Sequence, residues 1–200
     1  MSNPSPTNPS PAPRLDFGFP RDWHAEVLPA RPDILPTRHF IYPRHAEEIE
    51  RGALEVLVRP RAAVPFLATC ALGFRDPLAP NGLWSAPHPA WLCAVSGGYA
   101  YLIDTETPEQ FTMLPYRPVL EIRAAIADGL LLFVSHRRML AWGRGGQAWE
   151  TENLSDEGVT ITGIEPGILH GRGWQMLTDK ETPFTVDLRT GQRTLAHTSS

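Results

Sequence analysis

The apolar positions of this chain fall into short runs broken by turn residues, and the runs carry two different patterns. "LLLFV" (130–134) is apolar throughout, as a strand covered on both faces by packed neighbours must be. "YAYLI" (99–103) alternates large and small residues. As a strand it sends Tyr99, Tyr101 and Ile103 to one side and Ala100 and Leu102 to the other, so that neighbouring sheets can interdigitate. Gly97-Gly98, Asp128-Gly129 and Pro166-Gly167 punctuate the runs with residues suited to tight turns. "LEVLVRP" and "PFLATCALGF" have the same apolar, Pro- and Gly-bounded character, which predicts strands from residue 53 onward. No later segment sustains a helical period. Only "RHAEEIERGA" (44–53) predicts a helix: Glu47 and Arg51 stand four apart with the acid first, and Gly52 is placed to end it.

Three stretches repeat one plan: 91–114, 129–150 and 167–196. Each opens with an apolar strand, breaks, continues as a second strand, and turns at a polar loop containing Gly or Pro. Their final turns align at Asp104, Gly143 and Asp187, spaced by about 40 residues, a period typical of propeller blades. "GLLLFVSHRRMLAWGRGGQAWE" resembles a quinoprotein-type β-propeller blade, in which strand, turn, strand, an Asp-x-x-Thr-Gly turn and a Trp strand follow in order. "FTVDLRTGQ" matches that turn closely, "LIDTETPEQ" has Pro where Gly is expected, and "AWGRGGQAW" lacks the Asp. The resemblance covers roughly residues 82–196 and implies architecture alone. Quinoproteins need a much larger ring, so no quinone is implied and no cofactor is expected. The predicted fold is all-β, with three to four antiparallel blade-like sheets that close as a small propeller or stack open.

Composition changes the picture mainly at the N-terminus. Residues 1–14 are Pro, Ser and Asn with almost nothing apolar, too little to offset their ordering entropy, and are expected to be disordered. Residues 15–52 mix aromatic residues with many prolines, which predicts an extended arm across the core, carrying the short helix, ahead of a sheet-repeat domain at 53–200. A hydrophobic content of 42% and a charged content of 20% are ordinary for a globular chain. The net charge of -4 argues against nucleic acid as partner. No run approaches the roughly 20 apolar residues of a membrane span. The first residues lack the basic and apolar regions of a secretory signal, so a cytoplasmic location is expected. Cys70 and Cys93 sit in apolar runs and are expected to be free, buried thiols.

The chemical inventory is thin. There is no phosphate-binding Gly-x-x-x-x-Gly-Lys, no His-Glu-x-x-His and no Cys-x-x-Cys. Ser96 in "AVSGG" lacks a nucleophile elbow, and "GRGGQ" reads as a hairpin loop. The histidines, His39 and His45 among them, are scattered, and no metal site is expected. Asp179, Glu181 and Asp187 could act together as carboxylates in hydrolysis, or simply line a solvated loop. One stretch stands apart: "PNGLWSAPHPAW" (80–91) presents Trp84, His88 and Trp91 among three prolines. Aromatic residues on a stiff loop lose little entropy on binding. The function expected is thus non-catalytic: a binding or protein-interaction module that uses loops or an edge strand. Its partner would be a protein or a small polar ligand, and edge strands could also pair into an oligomer. The alternative is a small hydrolase or lyase acting on a carbohydrate or other polar metabolite, with acids and histidines drawn from separate loops.

Overall fold

A computed structural model of the chain describes residues 12–44, 46–75 and 79–195. Most of the tail expected to be disordered, residues 1–11, lies outside them, as does His45. The first strands come from the arm: β1 (Arg14–Asp16), β2 (Trp23–Leu28) and β3 (His39–Tyr42). The arm is therefore more regular than its proline content suggested. Its prolines fall between the strands and leave "WHAEVL" and "HFIY" free to donate ladder hydrogen bonds. The expected helix is a 3-10 segment, Ala46–Arg51, closed by a bond from the Gly52 N–H to the Ile49 carbonyl. β4 (Ala53–Pro60) and β5 (Phe66–Ala71) then form a hairpin flanked by β2 and β3, giving a first sheet of order β2-β4-β5-β3.

The second sheet contains β6 (Gly82–Ser85), β7 (Trp91–Ser96), β8 (Tyr99–Asp104) and β9 (Phe111–Met113) as an antiparallel meander, with β1 added parallel to β6. Gly82 makes that addition feasible: its φ is +148°, and a Cβ there would overlap the carbonyl of Arg14. The third sheet runs β10 (Glu121–Ala125), β11 (Leu130–Val134), β12 (Met139–Gly143) and β13 (Gly146–Glu150). The fourth runs β14 (Val159–Glu165), β15 (Ile168–Gln175), β16 (Lys180–Asp187) and β17 (Arg193–Leu195). The fold is all-β, in four blade-like sheets. Asp104, Gly143 and Asp187, aligned from the sequence, all stand at the hairpin between the third and fourth strands of the meander. Asp104 and Asp187 build the same turn, each carboxylate accepting the N–H groups two and three residues on.

Three apolar clusters glue the sheets in sequence order. Ala25, Val56, Val58, Phe66 and Cys70 of the first sheet meet Leu92, Tyr101 and Ile103 of the second. Ala100 and Leu102, on the other face of β8, meet Leu131 and Phe133 of β11. Leu130, Leu132 and Val134 turn away from these toward Leu169, Phe184 and Val186 of the fourth sheet. Both patterns in the sequence thus do what their periodicity required: "YAYLI" and "LLLFV" are strands buried on both faces.

Among the described residues no apolar cluster joins the fourth sheet back to the first. The free face of the fourth sheet carries exposed polar residues, Arg172 and Glu181 standing 3.8 Å apart beside His170 and Thr185, with Ile168 exposed at its margin. Terminal repeats need such a face to be soluble. The free face of the first sheet is covered differently. β2 and β3 lie on opposite edges of that sheet, so the segment 29–38 between them must cross it. Arg31 from this segment reaches Glu55, whose side chain points away from the core, so the segment is a strap over the outer face. The architecture is an open stack with a polar end and a strapped end.

Candidate functional site

The three residues singled out from composition are placed differently from one another. Trp84 is the third of the four residues of a strand, not part of a loop, and is 1% exposed between the second and third sheets. It offers no contact surface. His88 is half-buried in the following turn, where its Nδ1 accepts the Ala90 N–H at 3.3 Å. Trp91 is half-buried at the start of β7, 5.8 Å from the Trp142 ring, and its carbonyl accepts the Trp23 indole N–H. These two are fastened to the core rather than held out from it.

Of the three acids of the hydrolytic reading, Asp179 and Glu181 stand two residues apart at the start of β16 and Asp187 stands at its far end. Glu181 and Asp187 lie near opposite ends of β16, about 20 Å apart at strand rise, whereas paired glycosidase carboxylates stand within about 10 Å of each other. The Asp187 carboxyl is held below its ordinary range by the Thr190 and Arg189 N–H groups, a turn-forming role. Cys70 and Cys93 are free and wholly buried, and burial pushes both thiols up, away from the reactive thiolate form. Among the described residues no three His, Cys, Asp or Glu side chains gather as a metal site requires.

A sizeable concavity lies elsewhere, along the edge of the first sheet. It is an open groove of about 870 Å³, within the size range of ligand sites. Every residue from His24 to Pro29 lines it. Successive side chains of a strand point to opposite faces, so an unbroken run of lining residues means that the groove follows the backbone edge of β2. β2 is an edge strand, paired with β4 on one side alone. Across the groove stands the edge of β1, with Pro13 and Leu15, the latter 55% exposed. β2 stops at Leu28, opposite Glu55, so β4 projects beyond it and Ala53 and Leu54 extend the groove floor.

Glu55 gives this groove its chemistry. It is 6% exposed and both of its oxygens are engaged. Oε1 accepts Arg31 Nε–H at 2.9 Å, and Oε2 accepts the Thr69 hydroxyl at 2.6 Å. Because the single Thr69 proton goes to Glu55, the contact of 2.8 Å between Thr69 Oγ1 and His39 Nε2 requires the imidazole to donate. A hydrogen-bonded row thus runs across β4, β5 and β3 on the outer face, from the groove to the far edge. Burial and the Arg31 guanidinium hold the His39 pKa below 6.5 and keep that ring neutral at neutral pH. Glu26, on the same face, faces Arg59 at 3.5 Å with both side chains largely in water, a pairing worth little. Sequence reading singled out none of these but His39, which it counted among the scattered histidines. The alternation in "WHAEVL" was the available signal, but prolines on either side masked it.

No protein-family model matches the chain, and no curated protein matches it. Among solved structures, the chain is similar to the crystal structure of the N-terminal domain of Nup159, at 11% identity over 92% of this chain and 71% of that one, with a TM-score of 0.23. No helix among the described residues is long and apolar enough to cross a membrane. The grounds for a functional reading are therefore the open edge of β2 and the groove along it.

Proposed function

We propose that the protein is a non-catalytic interaction module that binds an extended polypeptide segment along the free edge of β2. One observation carries the reading: a groove of ligand size follows the unpaired backbone of an edge strand from His24 to Leu28, five of its six residues. An unpaired edge presents a row of N–H and C=O groups, and an added strand satisfies them while alternate side chains give specificity. Proteins usually blunt such edges with a covering loop, a bulge or a short strand. β2 has six residues and a regular register with β4. The blade-like order of turns supports a kinship with quinoprotein-type propellers, used here as an open scaffold without a quinone. Free buried thiols suit a cytoplasmic setting.

The test is selection of random linear peptides displayed on phage against the immobilised chain, followed by hydrogen exchange on the complex. The expected result is enriched peptides that slow exchange of amides in residues 24–28. No enrichment, or protection confined to the loop carrying His88 and Trp91, would overturn the reading.

A further inference from the structure

We infer that the segment taken up by this groove carries an arginine or lysine flanked on both sides by apolar residues. The inference rests on the strand-addition reading above and specifies its partner. The register of β2 supplies the pattern. Glu26 and Leu28 point to the outer face, next to Leu57 and Glu55 of β4; Ala25 and Val27 point to the core side. A strand laid against β2 in either direction must alternate in the same way. Its outward side chain near Glu26 meets a carboxylate. The residues before and after it turn to the other face, toward Ala25 and Val27.

Charge selects the outward residue. Glu26 and Glu55 both line the groove, and among the described residues no lysine or arginine lines it. The cations that face these acids come from outside it. Arg59 meets Glu26 across water-exposed side chains, 44% and 56% accessible, so an incoming cation displaces it at little cost. Arg31 reaches Glu55 from the strap through a single nitrogen, and is itself 38% exposed. That contact shows that a guanidinium fits against Glu55 at hydrogen-bond distance. The apolar side of the groove matches as well, since Leu15 is left 55% exposed on the opposite wall.

The experiment uses the full chain and three labelled nine-residue peptides with valine at odd positions. The even positions are arginine in one, serine in the second and glutamate in the third. Fluorescence anisotropy is read for the wild type, for Leu15→Trp, which fills the groove without changing charge, and for Glu26→Gln. The expected result is binding of the arginine peptide at least tenfold tighter than the serine peptide, with no binding of the glutamate peptide. Leu15→Trp should abolish binding, and Glu26→Gln should reduce the preference for arginine at least threefold. Circular dichroism spectra of both variants matching the wild type establish that the fold is kept. Equal binding of all three peptides, lost in Leu15→Trp, would overturn the basic-segment inference and leave the strand-addition reading standing. Absence of binding by every peptide, or binding that Leu15→Trp leaves intact, would overturn both. Concentration-dependent dimerisation that Leu15→Trp abolishes would assign the groove to a second copy of the chain and overturn the inference.

Discussion

The contact between the third and fourth sheets can be broken at one atom, and the consequence tests both the packing and the open stack. Trp149 of β13 is 8% exposed, and its indole N–H donates to the Leu188 carbonyl at 2.7 Å. Its ring lies on Gly191, in the turn that Asp187 organises; a Cβ at Gly191 would stand 2.8 Å from the ring carbons. Gly191 also has φ +72°. Gly191→Ala therefore carries two separate costs. Holding an L-residue in the left-handed region costs about 1–2 kcal/mol. The forced contact with the indole adds about 1–3 kcal/mol, the usual scale of overpacking. The total, about 2–5 kcal/mol, is comparable with the whole stability of a marginal domain.

Where that loss is felt depends on the architecture. In an open stack the fourth sheet is packed on the third alone, so it should open before the rest, and stability becomes local rather than global. Native-state hydrogen exchange is the assay. Amides of β15 and β16 should lose about 2–5 kcal/mol of protection, while those of β7 and β8 keep theirs. Trp149→Ala in the same background removes the ring that the new methyl strikes. The double variant should then recover about 1–3 kcal/mol relative to the sum of the single changes, with only the backbone cost left. An equal fall in protection across all four sheets would refute the open stack. Additivity within about 0.5 kcal/mol would refute the steric account.

Three further outcomes follow from placements already described. Trp84→Ala should cost about 3–5 kcal/mol by chemical denaturation, because a fully buried ring between two sheets leaves a cavity; a cost below 1 kcal/mol would show that the ring is not packed there. Cys70 and Cys93 should react with a thiol reagent only at the rate of unfolding, since both are wholly buried with raised pKa values; fast labelling without denaturant would contradict their placement. His39 has a pKa below its ordinary 6.5 in the folded chain. The unfolded chain therefore binds more protons once the pH drops below 6.5, so stability is retained above that value and falls as pH is lowered toward the folded pKa. His39→Gln should flatten this slope between pH 4 and pH 7 in urea titrations, and an unchanged slope would remove His39 as its source.

Legibility in the sequence followed the range of the interactions involved. "LLLFV" and "YAYLI" could be read because burial on both faces, or alternation between two interfaces, is a local property of one strand. The turns at Gly97-Gly98 and Pro166-Gly167 are equally local. The arm could not be read in the same way, because its strands find partners far along the chain: Arg14 pairs with Gly82 and His39 with Leu67. Nothing in the spacing of "HFIY" names β5 as its neighbour. Trp84 misled for a related reason. Three prolines around it signalled a stiff loop, but "GLWS" itself is a strand, and the prolines mark only its ends.

The groove was the least legible feature because an edge is defined by the partner it lacks. "WHAEVL" alternates as a half-buried strand does, and a reader of the sequence can infer one apolar face, with Ala25 and Val27, and one polar face, with Glu26. Which lateral side of the strand is left unpaired depends on the order β2-β4-β5-β3, which is fixed by the strap crossing the sheet. That crossing is in turn held by Arg31 and Glu55, two residues that composition would assign to solvent. Glu55 sits in "LEVLV", where alternation places it opposite Leu54 and Val56, and only the strap explains why a carboxylate there is buried. The same ion pair ties the strap down over Glu55, while Glu26 and Arg59 on that face stay in water and the edge of β2 stays unpaired. A chain that selected against edge pairing would carry the strap across β2 instead, and the strap of this chain runs over the face.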